Sequence, residues 1–293
     1  MLVLAFPDSL PQASALAQAL AVDVQAIEVH AFPDGESRLR LPPELPSRVV
    51  LMRSLDQPNT KLVELLLAAG TARELGARHL SLVAPYLCYM RQDIAFQPGE
   101  AVSQRHVGGF LAGLFDAVIT VDPHLHRVSR LQEAVPAHTA LALSAAPLMG
   151  QFLAARETRP LLLGPDEESG QWVAAVAAAA GLDWLVAGKT RSGDREVSIA
   201  LPAADYSGRE VVLVDDIAST GHTLAQAARA LFAAGAARVD VLVTHALFVG
   251  DALQQLRAAG IGDIWSSDSV THPSNAFGLA PALAEALRAE PPK

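Results

Sequence analysis

Two adjacent carboxylates at the end of an apolar run are the residues in this chain best placed to do chemistry. Residues 211–224 read VVLVDDIASTGHTL, so Asp215 and Asp216 follow four branched apolar residues, and Ser219, Thr220, Gly221 and Thr223 come next. Such an apolar run fills a strand buried on both faces. From Leu224 an alanine-rich helical pattern continues to Ala234. A strand ending in acids, then a small polar loop opening a helix, suits a sugar phosphate. Loop N–H groups and the helix N-terminus hold the phosphate, and the carboxylates accept from ribose hydroxyls. The plainer alternative is an ordinary strand-to-helix turn with Ser219 as N-cap. The doubled acid at this spacing weighs against it.

Five further stretches carry chemistry-bearing side chains. FPDGES at 32–37 holds a turn signal, Pro33-Asp34-Gly35, ahead of Arg38, Leu39 and Arg40. By itself it reads as a plain hairpin turn. Equally, an aromatic ring, Phe32, beside Asp34 and Glu36 can stack on a purine and accept from its amino group. YLCYMRQD at 86–93 follows an apolar strand pattern, so Arg91 and Gln92 either contact phosphates and a base or lie on a solvated loop. VDPHLHR at 121–127 places Asp122, His124 and His126 close together. A zinc hydrolase needs three or four neighbouring protein ligands, and no other His/Cys cluster accompanies this one. GPDEES at 164–169 sets Asp166 after a strand and a proline, a good position for a metal-binding carboxylate. GKTRSGDR at 188–195 opens a polar loop with Lys189 and Arg191. GKT is not a Walker A motif here, because that motif requires glycine where the chain has Asp183.

The elements that must position these residues alternate regularly. The apolar pattern predicts strands over 2–5, 24–29, 48–53, 80–84, 117–121, 160–163, 182–187, 196–200, 211–214 and 239–244. Helices are expected over 9–21, 60–75, 103–114, 168–180 and 224–234. This alternation points to α/β architecture with mainly parallel sheets flanked by helices. With 293 residues the chain suits two domains, expected as 1–140 and 141–293. VITVDPH at 118–124 faintly echoes VVLVDDI at 211–217, which suggests a duplication. The tail after Ala289 is expected to fray.

Composition narrows the partners. Hydrophobic residues make up 51% of the chain and the mean hydropathy is +0.27. The longest uncharged span, 134–155, is long enough to cross a bilayer, but Pro136, His138, Pro147 and Gly150 interrupt it and alanine dominates it. It reads as a strand, a turn and a helix start. No cationic leader is present, and a single cysteine, Cys88, excludes an internal disulfide, so a cytoplasmic protein with no membrane partner is expected. A net charge of −9 argues against nucleic acid.

The 211–224 stretch resembles the ribose-phosphate loop shared by phosphoribosyltransferases and ribose-phosphate pyrophosphokinases (PRPP synthetases). FPDGE, RQD, DPH, PD, KTR and DDIASTG also stand in the order found in PRPP synthetases, over nearly the whole chain. Plain phosphoribosyltransferases share the last motif and lack the ATP-side set. The resemblance implies two tandem phosphoribosyltransferase-like domains, the first on the ATP side and the second on the ribose 5-phosphate side. It implies transfer of the β,γ-diphosphoryl group of Mg-ATP to the 1-hydroxyl of ribose 5-phosphate. In that reading Phe32, Asp34, Glu36, Arg91 and Gln92 hold ATP, and His124 and Asp166 position Mg2+. Asp215, Asp216, Ser219, Thr220, Gly221 and Thr223 hold ribose 5-phosphate. Lys189 and Arg191 are the catalytic cations, and the FPDGE stretch serves a neighbouring subunit, so a homo-oligomer follows. Ile94 stands where an arginine usually follows RQD, GPDEES replaces small residues, and His222 replaces a second glycine. These departures put allosteric control by phosphate and ADP in doubt. A phosphoribosyltransferase consuming PRPP and a non-catalytic regulatory paralogue are the rival readings.

Overall fold

The computed structural model describes residues 1–125, 127–192 and 196–290, with the side chains of residues 189–198 outside that description. The chain opens with β1 (Leu2–Ala5), α1 (Leu10–Leu20), β2 (Asp23–Ala26), β3 (Glu28–Ala31), β4 (Ser37–Arg40) and β5 (Arg48–Met52). It continues through α2 (Pro58–Glu74), β6 (His79–Val83), α3 (Ser103–Leu114), β7 (Ala117–Val121), α4 (Leu131–Ala134) and β8 (Thr139–Leu143). Next come α5 (Ala146–Ala154), β9 (Leu161–Gly164), α6 (Gly170–Ala180), β10 (Trp184–Val186), β11 (Gly188–Ser192), β12 (Glu196–Ala200) and β13 (Glu210–Ala218). The chain ends with α7 (His222–Ala233), β14 (Arg238–Ala246), α8 (Ala252–Ala258), β15 (Ile264–Ser267), β16 (Asn275–Phe277) and α9 (Ala280–Ala289).

Contacts divide the chain into two units, one of residues 1–143 with the segment from Gly278 onward, the other Ser144–Phe277. The expected division at 140/141 assigned the C-terminal segment to the second domain, but α9 returns to the first unit and packs on α1. The first unit holds a parallel sheet in the order β2-β1-β5-β6-β7-β8, and the second a parallel sheet in the order β10-β9-β13-β14-β15-β16. Counted within each sheet, both orders are 2-1-3-4-5-6. Both units also insert a separate antiparallel pair between their second and third sheet strands, β3-β4 in one and β11-β12 in the other. The duplication is therefore topological. The sequence echo between 118–124 and 211–217 is not its trace, because β7 is the fifth sheet strand and β13 the third.

Several boundaries differ from expectation for identifiable reasons. The strand expected over 24–29 breaks at Ile27, whose N–H donates to Ala5 O at 2.8 Å and whose side chain is fully buried. The chain then leaves the main sheet for the hairpin. The strand expected over 211–214 runs on through both acids to Ala218, because β14 pairs alongside it as far as Ala218↔Ala246. The 134–155 span forms a strand and a helix, β8 and α5, as read. No helix among the described residues is long and apolar enough to cross a membrane.

Glu290 is the clearest correction at the C-terminus. Its carboxylate is buried, accepting from Ser81 Oγ at 2.9 Å, Arg48 Nη2 at 3.0 Å and His79 Nε2 at 2.5 Å. The expected fraying therefore does not begin at this residue, and 291–293 lie outside the described residues.

Candidate functional site

In the second unit the site grows from β13. Branched residues Val211–Val214 are buried on both faces, and the strand carries the two acids to the C-terminal edge of the sheet, where α/β folds bind ligands. Alternation sends the two side chains to opposite faces. Asp215 lines a cavity of about 120 Å³ together with Ile217, Ser219, Thr220, His222 and Thr223, whereas Asp216 is buried outside that lining. Gly221, also at the cavity, caps α7 in the left-handed region at φ 72°, so Ser219 is not the N-cap. A Cβ at Gly221 would meet Leu256 at 3.3 Å. The loop is strapped from the far end of β14: Leu247 and Phe248 N–H donate to Ala218 O at 3.0 and 2.9 Å, and Val249 N–H donates to Ser219 O at 3.0 Å. This strap was not legible in the sequence, because nothing local marks THALFVG as a partner of IAST.

Electrostatics make this edge a carboxylate cluster. The protein packed around Asp215 pushes its carboxyl well above the usual carboxylate range, and the charges of Asp216 and Asp166 push in the same direction. Asp166 follows β9 in a short turn, where its Oδ1 accepts from Ser169 N–H at 3.2 Å. Gly164 leaves room for this turn, since a Cβ there would lie 2.5 Å from Ser169 Oγ.

The nucleotide-side candidates lie in the first unit, on three loops. Phe32, Asp34 and Glu36 are exposed on the turn between β3 and β4. The turn closes through Phe32 N–H to Glu36 O at 2.8 Å and Glu36 N–H to Asp34 Oδ1 at 3.2 Å, and the rings of His30 and Phe32 meet edge-on at 4.7 Å. The hairpin reading of this stretch holds, and it leaves all three side chains accessible. After β6, Arg91 is exposed and Gln92 half-buried, while Asp93 is buried and accepts from Arg127 Nη1 at 2.5 Å. That bond ties the RQD loop to the loop after β7, which carries His124, half-buried, behind Asp122 in a left-handed conformation at φ 37°. His126 lies outside the described residues. Burial pushes the Cys88 thiol up to about 12, which excludes it as a nucleophile at neutral pH.

Lys189 and Arg191 were expected on a loop. Instead they belong to β11, where Lys189 pairs with Ile199 and Arg191 with Val197 of β12. Their side chains lie outside the described residues, as do residues 193–195 entirely.

The metal implied by the resemblance has no ready-made cage. No three His, Cys, Asp or Glu side chains among the described residues form a metal-holding group, and His124 and Asp166 belong to different units. The carboxylates of Asp166 and Asp215 do lie near enough for one charge to raise the pKa of the other. Oxygen donors of this type, a few per ion with substrate phosphates supplying the rest, are what magnesium takes.

Comparison with known proteins agrees with the two-unit fold. Residues 1–113 match the model of the N-terminal domain of ribose phosphate pyrophosphokinase, and residues 132–258 match the phosphoribosyl transferase domain. The chain is 39% identical to the ribose-phosphate pyrophosphokinase of Methanopyrus kandleri, with 98% of each chain covered. It is 33% identical to that of Methanosarcina acetivorans, with 98% of this chain and 99% of the relative covered. In fold it is similar to the crystal structure of phosphoribosylpyrophosphate synthetase from Mycobacterium smegmatis, with a TM-score of 0.83, 24% identity and 98% of each chain covered. With its paired 2-1-3-4-5-6 sheets and this full-length identity, the chain belongs to the ribose-phosphate pyrophosphokinase family.

Proposed function

We propose that the chain transfers the β,γ-diphosphoryl group of ATP to the 1-hydroxyl of ribose 5-phosphate, giving PRPP and AMP. The observation that carries this reading is the cavity at the end of β13, where Asp215 stands beside a loop opening a helix. Backbone N–H groups of the 219–223 loop and the N-terminus of α7 receive the 5-phosphate, with the Ser219, Thr220 and Thr223 hydroxyls as further donors. Asp215, backed by Asp216, accepts from the ribose hydroxyls. Phe32, Asp34, Glu36, Arg91 and Gln92 hold ATP, the ring stacking on the base and the arginine facing phosphate.

The sugar hydroxyl attacks the β-phosphorus in line, and AMP departs. Such transfers depend on positioning and on spreading charge. Lys189 and Arg191 neutralise the charge that builds during transfer. His124 and Asp166 would hold Mg2+, which would supply positive charge to the phosphate oxygens. We read the enzyme as cytoplasmic and as a homo-oligomer of at least dimer size. An accessible Phe32, 40% exposed on a turn, suits contact with a second copy. A fully active monomer in light scattering would remove the oligomer from this reading.

The decisive assay mixes the protein with Mg-ATP and ribose 5-phosphate and follows AMP and PRPP together. Equal appearance of both supports the transfer. PRPP consumption with a base and no need for ATP would mark a phosphoribosyltransferase. Binding of both substrates without turnover would mark a regulatory paralogue.

A further inference from the structure

We propose that Glu64, fixed by Arg53, is a positioning residue for the nucleotide turn at Phe32–Glu36, acting through Ser37. The proposal rests on the reading that this turn holds ATP. The backbone bonds within the turn fix its shape, yet they do not fix its place on the body of the unit. Its place is set next door: Ser37 Oγ donates to Glu64 Oε1 at 2.8 Å. The other oxygen of Glu64 accepts from Arg53 Nη1 at 2.5 Å, and the side chains of Arg53 and Glu64 are 8% and 5% exposed. Arg53 is itself braced, donating through Nε to Asp8 Oδ2 at 3.2 Å and lying over the Phe6 ring at 3.9 Å. The carboxylate that holds Ser37 is therefore locked on its far side by a guanidinium that has little room to move. The hairpin strands are held to the core by Val29 and Leu39, which are paired and half-buried, while the Glu28–Arg40 pair lies at the surface, so Ser37 is the polar tie nearest the turn.

Stability alone is a weak reason for such a pair. Burying an arginine and a glutamate together costs desolvation that an apolar pair of the same volume avoids. A fixed carboxylate aimed at the first residue after the turn has a use in geometry. It holds the turn so that its exposed ring and two acids meet a nucleotide without first paying to order the hairpin.

The test measures Mg-ATP affinity, turnover and ribose 5-phosphate KM for Ser37→Ala, Ser37→Thr and Phe32→Ala in the full-length protein. Ser37→Ala removes the hydroxyl without touching the buried pair, and should weaken ATP binding about five- to tenfold, up to one decade of affinity. Turnover at saturation and ribose 5-phosphate KM should hold, the melting temperature should fall because Glu64 Oε1 loses its donor, and Ser37→Thr, which keeps a hydroxyl, should restore both ATP affinity and melting temperature. Unchanged ATP affinity in Ser37→Ala, beside a loss in Phe32→Ala, overturns the positioning role and leaves the turn as a nucleotide contact. An equal loss for ribose 5-phosphate reduces the contact to general support and also overturns it. Unchanged ATP affinity in Phe32→Ala removes the turn from the nucleotide site, and the proposal falls with that reading.

Discussion

The two units place the same strand in the same sheet position and finish it with opposite charges. β5 reads VVLM from Val49 and β13 reads VVLV from Val211, and each pairs with the first strand of its sheet at the matching register, Val49 with Leu2 and Val211 with Leu161. Four residues past that register stand Arg53 in one unit and Asp215 in the other. The turn after the first strand supplies Asp8 in one and Asp166 in the other, each at a short 3-10 turn. In the first unit the result is an ion pair, Arg53 to Asp8 at 3.2 Å, with Glu64 closing it from α2 and Lys61 reaching both Asp8 and Asp56. In the second it is a set of carboxylates in which the charges of Asp216 and Asp166 raise the pKa of Asp215. One sheet edge balances its charge from within. The other gathers carboxylates, and in the proposed reading that difference separates an edge closed by its own ion pairs from the edge that receives the sugar phosphate.

The largest expected effects test this contrast from its two sides. Arg53→Met should leave Glu64 as a buried carboxylate without its cation and cost about 3–5 kcal/mol of stability, the scale for breaking a buried pair. Chemical denaturation reads it. A loss below about 1 kcal/mol, as for a surface pair, would mean that this edge is not closed by its own charges. Next comes the pair of inserted hairpins, occupying equivalent places in the two topologies. If β11 carries cations that act only on charge developing in transfer, Lys189→Ala should lower turnover by roughly 10²–10³, the scale of one lost electrostatic donor. Substrate affinities should change little. Phe32→Ala on the other hairpin should do the reverse, raising ATP KM and sparing turnover. Near-normal turnover in Lys189→Ala would return it to a solvated cation, and collapsed ATP affinity at unchanged turnover would reassign it to binding.

What the sequence made legible follows from how local each signal is. The DDIASTG loop was readable because strand, acids, small residues and helix lie within fourteen positions of each other, residues 211–224. The continuation of β13 through its acids was not, because acids disfavour strands and only the pairing with β14 overrides that preference. Ile27 shows the same limit in reverse, since apolar residues continue on both sides of it in VQAIEV at 24–29 and hid the point at which the chain leaves the sheet. The Arg53–Glu64–Ser37 link joins three segments far apart in sequence. Each of its residues looks like an ordinary surface polar residue until the fold buries them together. Beyond residue 246, α8, β15, β16 and α9 were not anticipated, although α9 sets Leu283 and Leu287 one turn apart on a buried face, a helical signal that the sequence did offer.

A smaller effect is expected at the cap of α7. Gly221→Ala puts a Cβ on a left-handed residue, at about 1–2 kcal/mol, and presses it against Leu256 at 3.3 Å. The equivalent helix of the first unit, α2, begins from Gln57 in the left-handed region at φ 48°. Gln57→Gly should therefore stabilise, by relieving that strain, where Gly221→Ala destabilises. Thermal melts of the two variants moving in the same direction would break the parallel between the caps.

The smallest effect has the opposite sign to that of Arg53→Met, and it turns on pH. Burial and the charges of Asp216 and Asp166 raise the folded-state pKa of Asp215, so the folded protein binds this proton more tightly than the unfolded chain. The stabilisation from holding the proton is fully present below the unfolded carboxylate value, about 4. It is lost as the pH rises from there to the raised folded value, above which Asp215 is ionised and its full burial and repulsion cost applies. Asp215→Asn removes the charge while keeping the shape. At neutral pH it should raise the melting temperature above that of the unaltered protein, and the gap should close as the solution is acidified through this window. Ribose 5-phosphate affinity should fall at the same time, because an amide accepts less strongly from the sugar hydroxyls than a carboxylate. A stabilised variant that binds the sugar less well is what a substrate edge built around a carboxylate of raised pKa requires. A variant less stable than the parent at neutral pH, or a gap that widens on acidification, would mean that Asp215 is already balanced within the fold, as Arg53 is, and the contrast between the two edges would be lost.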